Sequence, residues 1–170
     1  MTFQETTQCY IERNGCYLMQ HRVKKENDFN KDKWIGIGGK FEPGEDALSC
    51  AVRETMEETG LRLVSPVYRG IVDFYCPPEP PIRMHIFTCA EDGFDGDADH
   101  LPDCDEGTLE WVPVDKVTEL PIWKGDEIFL RLLAEGAPFF HLELTYDGNQ
   151  LARAMLNDQD ATVQDGAAVR

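Results

Sequence analysis

Three glutamates constrain this chain more than any other feature. Between Gly39 and Leu61 it reads GKFEPGEDALSCAVRETMEETGL, which places Glu54, Glu57 and Glu58 at i, i+3 and i+4. In a helix these side chains project from one face, where like charges repel by a few tenths of a kcal/mol per pair. A face built this way is either purely solvated or neutralised by a cation, and an all-oxygen donor set suits hard divalent ions. Gly38-Gly39 and the turn Glu42-Pro43-Gly44 lead into the segment, and Glu45 and Asp46 sit where the helix dipole favours anions. The spacing predicts a helix over Asp46–Thr59 with Ala47, Leu48, Ala51, Val52 and Thr55 inward. Gly60 is placed for a left-handed cap.

The rest of the chain reads as strands with few helices. Thr6 to Arg22 alternates around Asn14-Gly15, a strong hairpin signal. Val23–Lys33 is a polar loop whose Lys24-Lys25 pair either meets a phosphate or is simply solvated, and Trp34–Gly39 is a short glycine-rich strand. Leu61–Tyr75 and Arg83–Cys89 are further strands, parted by the proline-rich loop from Cys76 to Pro81. Thr108–Pro113 is another strand, and Asp126–Glu135 a helix with Ile128, Phe129, Leu132 and Leu133 inward. Phe139–Tyr146 and Gln150–Leu156 form a terminal hairpin. We expect one domain over residues 1–156 and a frayed tail over 157–170. The expected class is α/β, a mixed sheet between helices.

Composition excludes several functions. A net charge of −16 argues against a nucleic-acid partner, which needs a basic footprint. It does not argue against a phosphate substrate, because metal-loaded carboxylates are locally cationic. No apolar run is long enough for a membrane span and no signal peptide is evident, so a soluble, cytoplasmic protein is expected. The six cysteines form no C-x-x-C pair and read as reduced thiols, with Cys50 a packing residue in the helix.

The glutamate segment resembles the Nudix box, G-x5-E-x7-R-E-U-x-E-E-x-G-U with U apolar, through Gly39, Glu45, Arg53, Glu54, Glu57, Glu58, Gly60 and Leu61. Thr55 stands where the family prefers an aliphatic residue, and a small packing cost is expected there. The likeness covers about Thr6 to Met155 and is nearest to the bacterial MutT-like 8-oxo-dGTP diphosphatases. It implies the Nudix fold, a mixed β-sheet sandwiched between α-helices. It implies Mg²⁺, or Mn²⁺, held by Glu54, Glu57, Glu58, Glu106 and the carbonyl of Gly38. Arg53 would orient a glutamate and Glu45 would support the loop. Glu106 comes from a match to D-E-x-x-x-x-W ending at Trp111. A rival reading takes Asp95, Asp97, Asp99 and Glu106 as a calcium loop, but His100 and Pro102 stand where that motif needs other residues.

The resemblance further implies substrate contacts at Trp123, Asp126, Lys40, Ile35 and Arg22. Trp123 would stack on a purine, its alternative being a core tryptophan, and the Asp126 carboxylate would accept from the base edge. Gly125 and Ile35 replace an aspartate and an asparagine of some relatives. The function expected is metal-dependent hydrolysis of 8-oxo-dGTP to 8-oxo-dGMP and pyrophosphate, a sanitation of the nucleotide pool that limits DNA damage. The alternatives are another modified purine nucleotide, a nucleotide sugar, or a non-catalytic Nudix-fold regulator. The general base is open among Glu54, Glu57, Glu58 and Glu106, and monomer and homodimer are both open.

Overall fold

The protein is described here by a computed structural model over residues 2–162. The first two strands, β1 (Gln4–Arg13) and β2 (Cys16–His21), form the expected hairpin. Asn14 and Gly15 both take positive φ, 51° and 74°, the geometry of a two-residue turn that matches strand twist. β3 is only Trp34–Ile35, after which the chain runs beside β1 through isolated bridges of Ile37 to Cys9 and Lys40 to Thr6.

Helix α1 (Ala47–Thr59) begins one residue later than expected because Asp46 caps it, its carboxylate accepting from the Ser49 N–H at 2.8 Å. Gly60 ends it in the left-handed conformation, as expected. The buried stripe differs from the prediction. Cys50, Ala51, Thr55 and Thr59 are buried, Ala47 and Val52 pack at the edge, and Leu48 is exposed. The predicted stripe included Leu48 and omitted Cys50 and Thr59, which pack inward and turn Leu48 to solvent.

The remaining strands are β4 (Arg62–Leu63), β5 (Val67–Tyr75), β6 (Ile82–Cys89), β7 (Phe94–Asp95), β8 (Thr108–Pro113), β9 (Phe140–Asp147), β10 (Gln150–Leu156) and β11 (Gln159–Asp160). The main sheet runs β11-β10-β9-β5-β6-β1-β2-β3, with β8 also on β2; β4 and β7 pair separately. It is mixed: β1–β6 and β5–β9 are parallel, the other pairs antiparallel.

Strand alternation then makes two cores. Cys9, Ile11, Phe87 and Cys89 meet α1 on one side. Tyr10, Ile86, Val72 and Leu142 face the other, where Phe129 and Leu133 of α2 (Asp126–Ala134) cover them. The α/β sandwich is as expected.

The frayed tail is corrected for residues 157–162. β11 pairs with Met155 and Leu156, and Ala161 is 3% exposed, its N–H bonded to Ala154 O. Burying one small apolar side chain and joining a sheet edge holds a segment whose composition alone suggested solvent. The expectation for 163–170 lies outside the described residues. Among the described residues no helix is long and apolar enough to cross a membrane.

Candidate active site

A cleft of about 580 Å³ opens between the β1–β6 face and the loop after β2. Its walls join the two sets of residues that the sequence predicts separately. Gly38, Glu54 and Glu106 line it together with Trp123, Asp126 and Ile35, and Arg22, Lys25 and Lys40 line it as well. Glu57, Glu58 and Arg53 stand behind the cleft wall on α1.

Backbone is brought close here for a reason visible in the glycines. A Cβ on Gly38 would fall 1.8 Å from Thr7 O, and one on Gly39 would fall 2.5 Å from the Glu54 carboxyl carbon. Only glycine lets this strand pass between β1 and the glutamate face. Behind it Arg53 ties the box together. Its guanidinium donates to Glu45 at 2.7 and 2.9 Å, to Glu54 at 2.9 Å, to Glu57 at 3.1 Å and to Lys40 O at 3.0 Å. Arg53 holds Glu45 down to about 2, helped by the Glu42 N–H. Arg53 thereby fixes the carboxylates of Glu45, Glu54 and Glu57 relative to one another.

The other carboxylates are less settled. Burial pushes Glu54 up, against the pull of Arg53, and Glu57 and Glu106 add to the rise. Burial pushes Glu58 up to about 8, with Glu54 adding to it and a Gln20 hydrogen bond opposing it. Glu58 Oε2 is closed off from solvent and, among the described residues, has no hydrogen-bond partner. An oxygen left in that state costs about 1–3 kcal/mol, more if charged. It is what an all-oxygen site for a hard divalent ion would contain before loading. In the conformation seen, among the described residues, no three His, Cys, Asp or Glu side chains converge closely enough to hold a metal. Arg53 engages Glu54 and Glu57, while Arg22 (3.2 Å) and Lys25 (3.5 Å) engage Glu106.

The residues of the calcium-loop reading are each engaged elsewhere. Arg62 takes Asp95 at 2.5 Å, His100 takes Asp97 at 2.9 Å, Arg13 takes Asp99, and Glu106 turns to the cleft. Lys24 is not simply solvated either: its ammonium donates to Cys104 O at 2.6 Å.

At the aromatic end Trp123 is 6% exposed and its indole N–H donates to Asn30 Oδ1 at 2.8 Å. Phe29 stacks on it at 5.2 Å and 21°, while Phe74 and Tyr146 meet it edge-on. Trp123 is thus both a core residue and a wall of the cleft. Asp126 is 3% exposed, and burial pushes it up to about 8, with Lys33 opposing the rise. Burial thus favours the neutral acid at Asp126, with one donor and one acceptor face, over the ionised acceptor expected from sequence. Ile35, 6% exposed, offers the cleft only apolar surface.

The sequence reading missed the loop residues that shape this end. Asp28 accepts from Arg22 Nε at 2.6 Å and from the Asn30 N–H at 3.0 Å, an Asx turn that carries Phe29 onto Trp123. The only signal was Asn and Asp flanking a lone aromatic in a polar loop. Gln20, another omission, had no signal beyond being polar at a core-facing strand position.

Sandwich, glycine pass and glutamate helix together define a class. A family model for the NUDIX domain matches residues 3–133, and the chain belongs to the Nudix hydrolase family. Over 149 residues it is 28% identical to the uncharacterized Nudix hydrolase YvcI of Bacillus subtilis, covering 86% of this chain and 89% of that protein. It is 29% identical over 116 residues to the oxidized purine nucleoside triphosphate hydrolase of Danio rerio, covering 68% and 71%. The crystal structure of the MutT protein from Bacillus halodurans is similar at a TM-score of 0.78 and 25% identity, covering 92% and 99%.

Proposed function

We propose that this chain is a metal-dependent diphosphatase that cleaves a purine nucleoside triphosphate, 8-oxo-dGTP first among them, into the monophosphate and pyrophosphate. The observation that carries it is one cleft shared by Glu54, Glu106 and Gly38 and by the Trp123–Asp126 pocket, with three cationic side chains along its walls. The oxidized-purine triphosphate hydrolases of Danio rerio and Mus musculus, 29% and 28% identical, support that substrate class.

The buried, unpartnered Glu58 oxygen and the carboxylates around it fit Mg²⁺ or Mn²⁺, and Glu54, Glu58, Glu106 and the Gly38 carbonyl would hold the ion, with Glu57 contributing from the exposed side. Such an ion supplies charge neutralisation on phosphate oxygens and a lowered pKa for bound water. The chain's own groups do the rest. Arg53 keeps Glu54 and Glu57 oriented, Arg22, Lys25 and Lys40 draw the phosphates in, and one carboxylate of the cluster takes the proton from the attacking water. Little covalent work falls to the protein in such a displacement, so positioning and charge dominate. At the other end the purine lies against the aromatic wall, and Asp126 as a neutral acid can both donate to and accept from the base edge.

The test is pyrophosphate release with Mg²⁺ from 8-oxo-dGTP, dGTP, 2-hydroxy-dATP and ADP-ribose. Preference for the oxidised purine triphosphate is expected. Preference for ADP-ribose would move the protein to another substrate class, and no turnover of any nucleotide would make it a binding module. Hydrolysis in ¹⁸O-labelled water should put the label in pyrophosphate, as attack at the β-phosphorus requires.

A further inference from the structure

Gln20 is the penultimate residue of β2 and is 1% exposed. By strand alternation it shares a face with Leu18, which sits in the α1-side core. A primary amide at such a position costs free energy unless its atoms are partnered. Here they are. Nε2 donates to Glu58 Oε1 at 3.2 Å and to Cys104 Sγ at 2.8 Å, and Oε1 accepts from Arg22 Nη1 at 3.2 Å. The orientation is fixed by chemistry: a guanidinium only donates, so the amide oxygen must face Arg22 and the NH₂ must face Glu58. Neither glutamate nor lysine could make both bonds. Arg22 continues the chain to Glu106 at 3.2 Å and to Asp28 at 2.6 Å. One polar thread, Glu58–Gln20–Arg22–Glu106, thus crosses from the helix to the far side of the cleft.

We propose that Gln20 is a positioning residue for the metal centre, engaging Oε1 of Glu58 so that Oε2 is left free for the ion and holding Glu58 in register with Glu106 through Arg22. The inference rests on the reading of Glu58 as a metal ligand. Gln20 touches neither substrate nor ion; it acts through the two carboxylates. Partners of this kind around metal ligands are worth about 10–100-fold in metal affinity or activity. Cys104, whose carbonyl also receives Lys24, closes the pocket around the amide and keeps it from turning.

The experiment titrates Mn²⁺ into the metal-stripped full chain by calorimetry and measures the Mg²⁺ dependence of turnover at saturating nucleoside triphosphate. Gln20→Met keeps the length and fills the space but removes every hydrogen bond. It should raise the Mn²⁺ dissociation constant about tenfold or more and shift half-saturation by Mg²⁺ by a similar factor. Most of the lost rate should return at high metal. Glu58→Gln, measured alongside, tests the reading beneath. If Glu58→Gln weakens Mn²⁺ binding while Gln20→Met lowers only the thermal midpoint, Gln20 is merely structural and the proposal is overturned. If Glu58→Gln leaves Mn²⁺ binding unchanged, the ligand assignment fails and the role of Gln20 fails with it. Should Gln20→Met not fold, Gln20→Asn serves: it keeps the amide but is one methylene too short to span Glu58 and Arg22, and unchanged metal affinity there overturns the proposal equally.

Discussion

Asp73 and Glu58 are two carboxylates withdrawn from water in one small protein, and their surroundings treat them in opposite ways. Asp73, on β5, is 1% exposed. Arg83 grips it with two hydrogen bonds of 2.7 and 2.9 Å, and His141 Nε2 adds a third at 2.7 Å. Burial is the largest single influence on it and pushes upward, yet these partners outweigh burial and hold Asp73 below the usual carboxylate value. Glu58 has one amide donor on one oxygen and nothing on the other, and the neighbouring Glu54 and Glu106 add repulsion. The first carboxylate was given what it needs inside the chain. The second was left short, on the face of the sheet where we propose the reaction takes place.

The largest effects come from removing each charge. Glu58→Gln should cut turnover by at least ~10²-fold, the scale of losing an electrostatic or metal-orienting group, while the metal-free fold becomes no less stable. Asp73→Asn should do the reverse: turnover within a few-fold of wild type, and a loss of about 2 kcal/mol of stability, in the range for hydrogen bonds to charged groups. Parallel denaturation and rate measurements on the two variants decide it. A stable but inactive Asp73→Asn, or an unstable but active Glu58→Gln, would break the comparison outright.

The pH dependence of stability sharpens it. Asp73 has a folded pKa below its unfolded one, so its contribution is complete above about pH 4 and is lost as pH falls through the lowered value. Glu58 is raised from 4.5 to about 8, so in metal-free protein its folded form binds the proton longer. Its contribution is complete below about 4.5 and is lost as pH rises toward 8. Denaturation midpoints from pH 3 to 9 in chelator should therefore slope at both ends. Asp73→Asn should flatten the acid limb and Glu58→Gln the alkaline one.

Asp126 extends the comparison to the base end. As a neutral acid near pH 7 it should be matched by the amide of Asp126→Asn at neutral pH. Preference for 8-oxo-dGTP over dGTP should then persist in that variant and lose its dependence on pH near 8. Asp126→Ala should reduce the preference at every pH. The ratio of kcat/KM values for the two nucleotides is the measurement.

The smallest effect concerns Thr55, whose buried hydroxyl has no partner among the described residues. To the small packing cost expected from sequence this adds that of an unpaired polar atom. Thr55→Val, nearly the same shape, should stabilise the protein by about 1 kcal/mol without altering turnover. A loss of stability instead would mean the hydroxyl is satisfied in solution.

What the sequence made legible was local. The Asn14-Gly15 turn, the Asp46 start and Gly60 stop of α1, and the i, i+3, i+4 glutamates all depend on residues a few positions apart. Contacts set by tertiary packing stayed hidden. Asn30 reaches Trp123 across 93 positions, Gln20 reaches Cys104 across 84, and Gln20 reaches Glu58 across 38. No periodicity encodes such pairs, which is why Phe29, Asp28 and Gln20 went unassigned. The raised pKa of Asp126 was equally invisible, because it follows from burial and burial from the whole fold.

The parallel pairing of β1 with β6 has a consequence for how the molecule comes into being. Thr6 and Arg83, joined by a hydrogen bond of 3.2 Å, stand 77 positions apart. A ribosome adding about 5–20 residues per second releases the first hairpin and then the acidic helix well before β6 exists to complete the sheet between them. Through that interval the edge of β1 that pairs with β6 is open, and the glutamates of α1 lack Glu106, which lies further along the chain. Contacts of such long range also slow the final closure, since the loop must be ordered before the pairing rewards it. Catalytic competence therefore arrives after β6, once the later segments carrying Glu106, Trp123 and Asp126 have closed the cleft. Recovery of turnover on refolding should lag the recovery of helical signal.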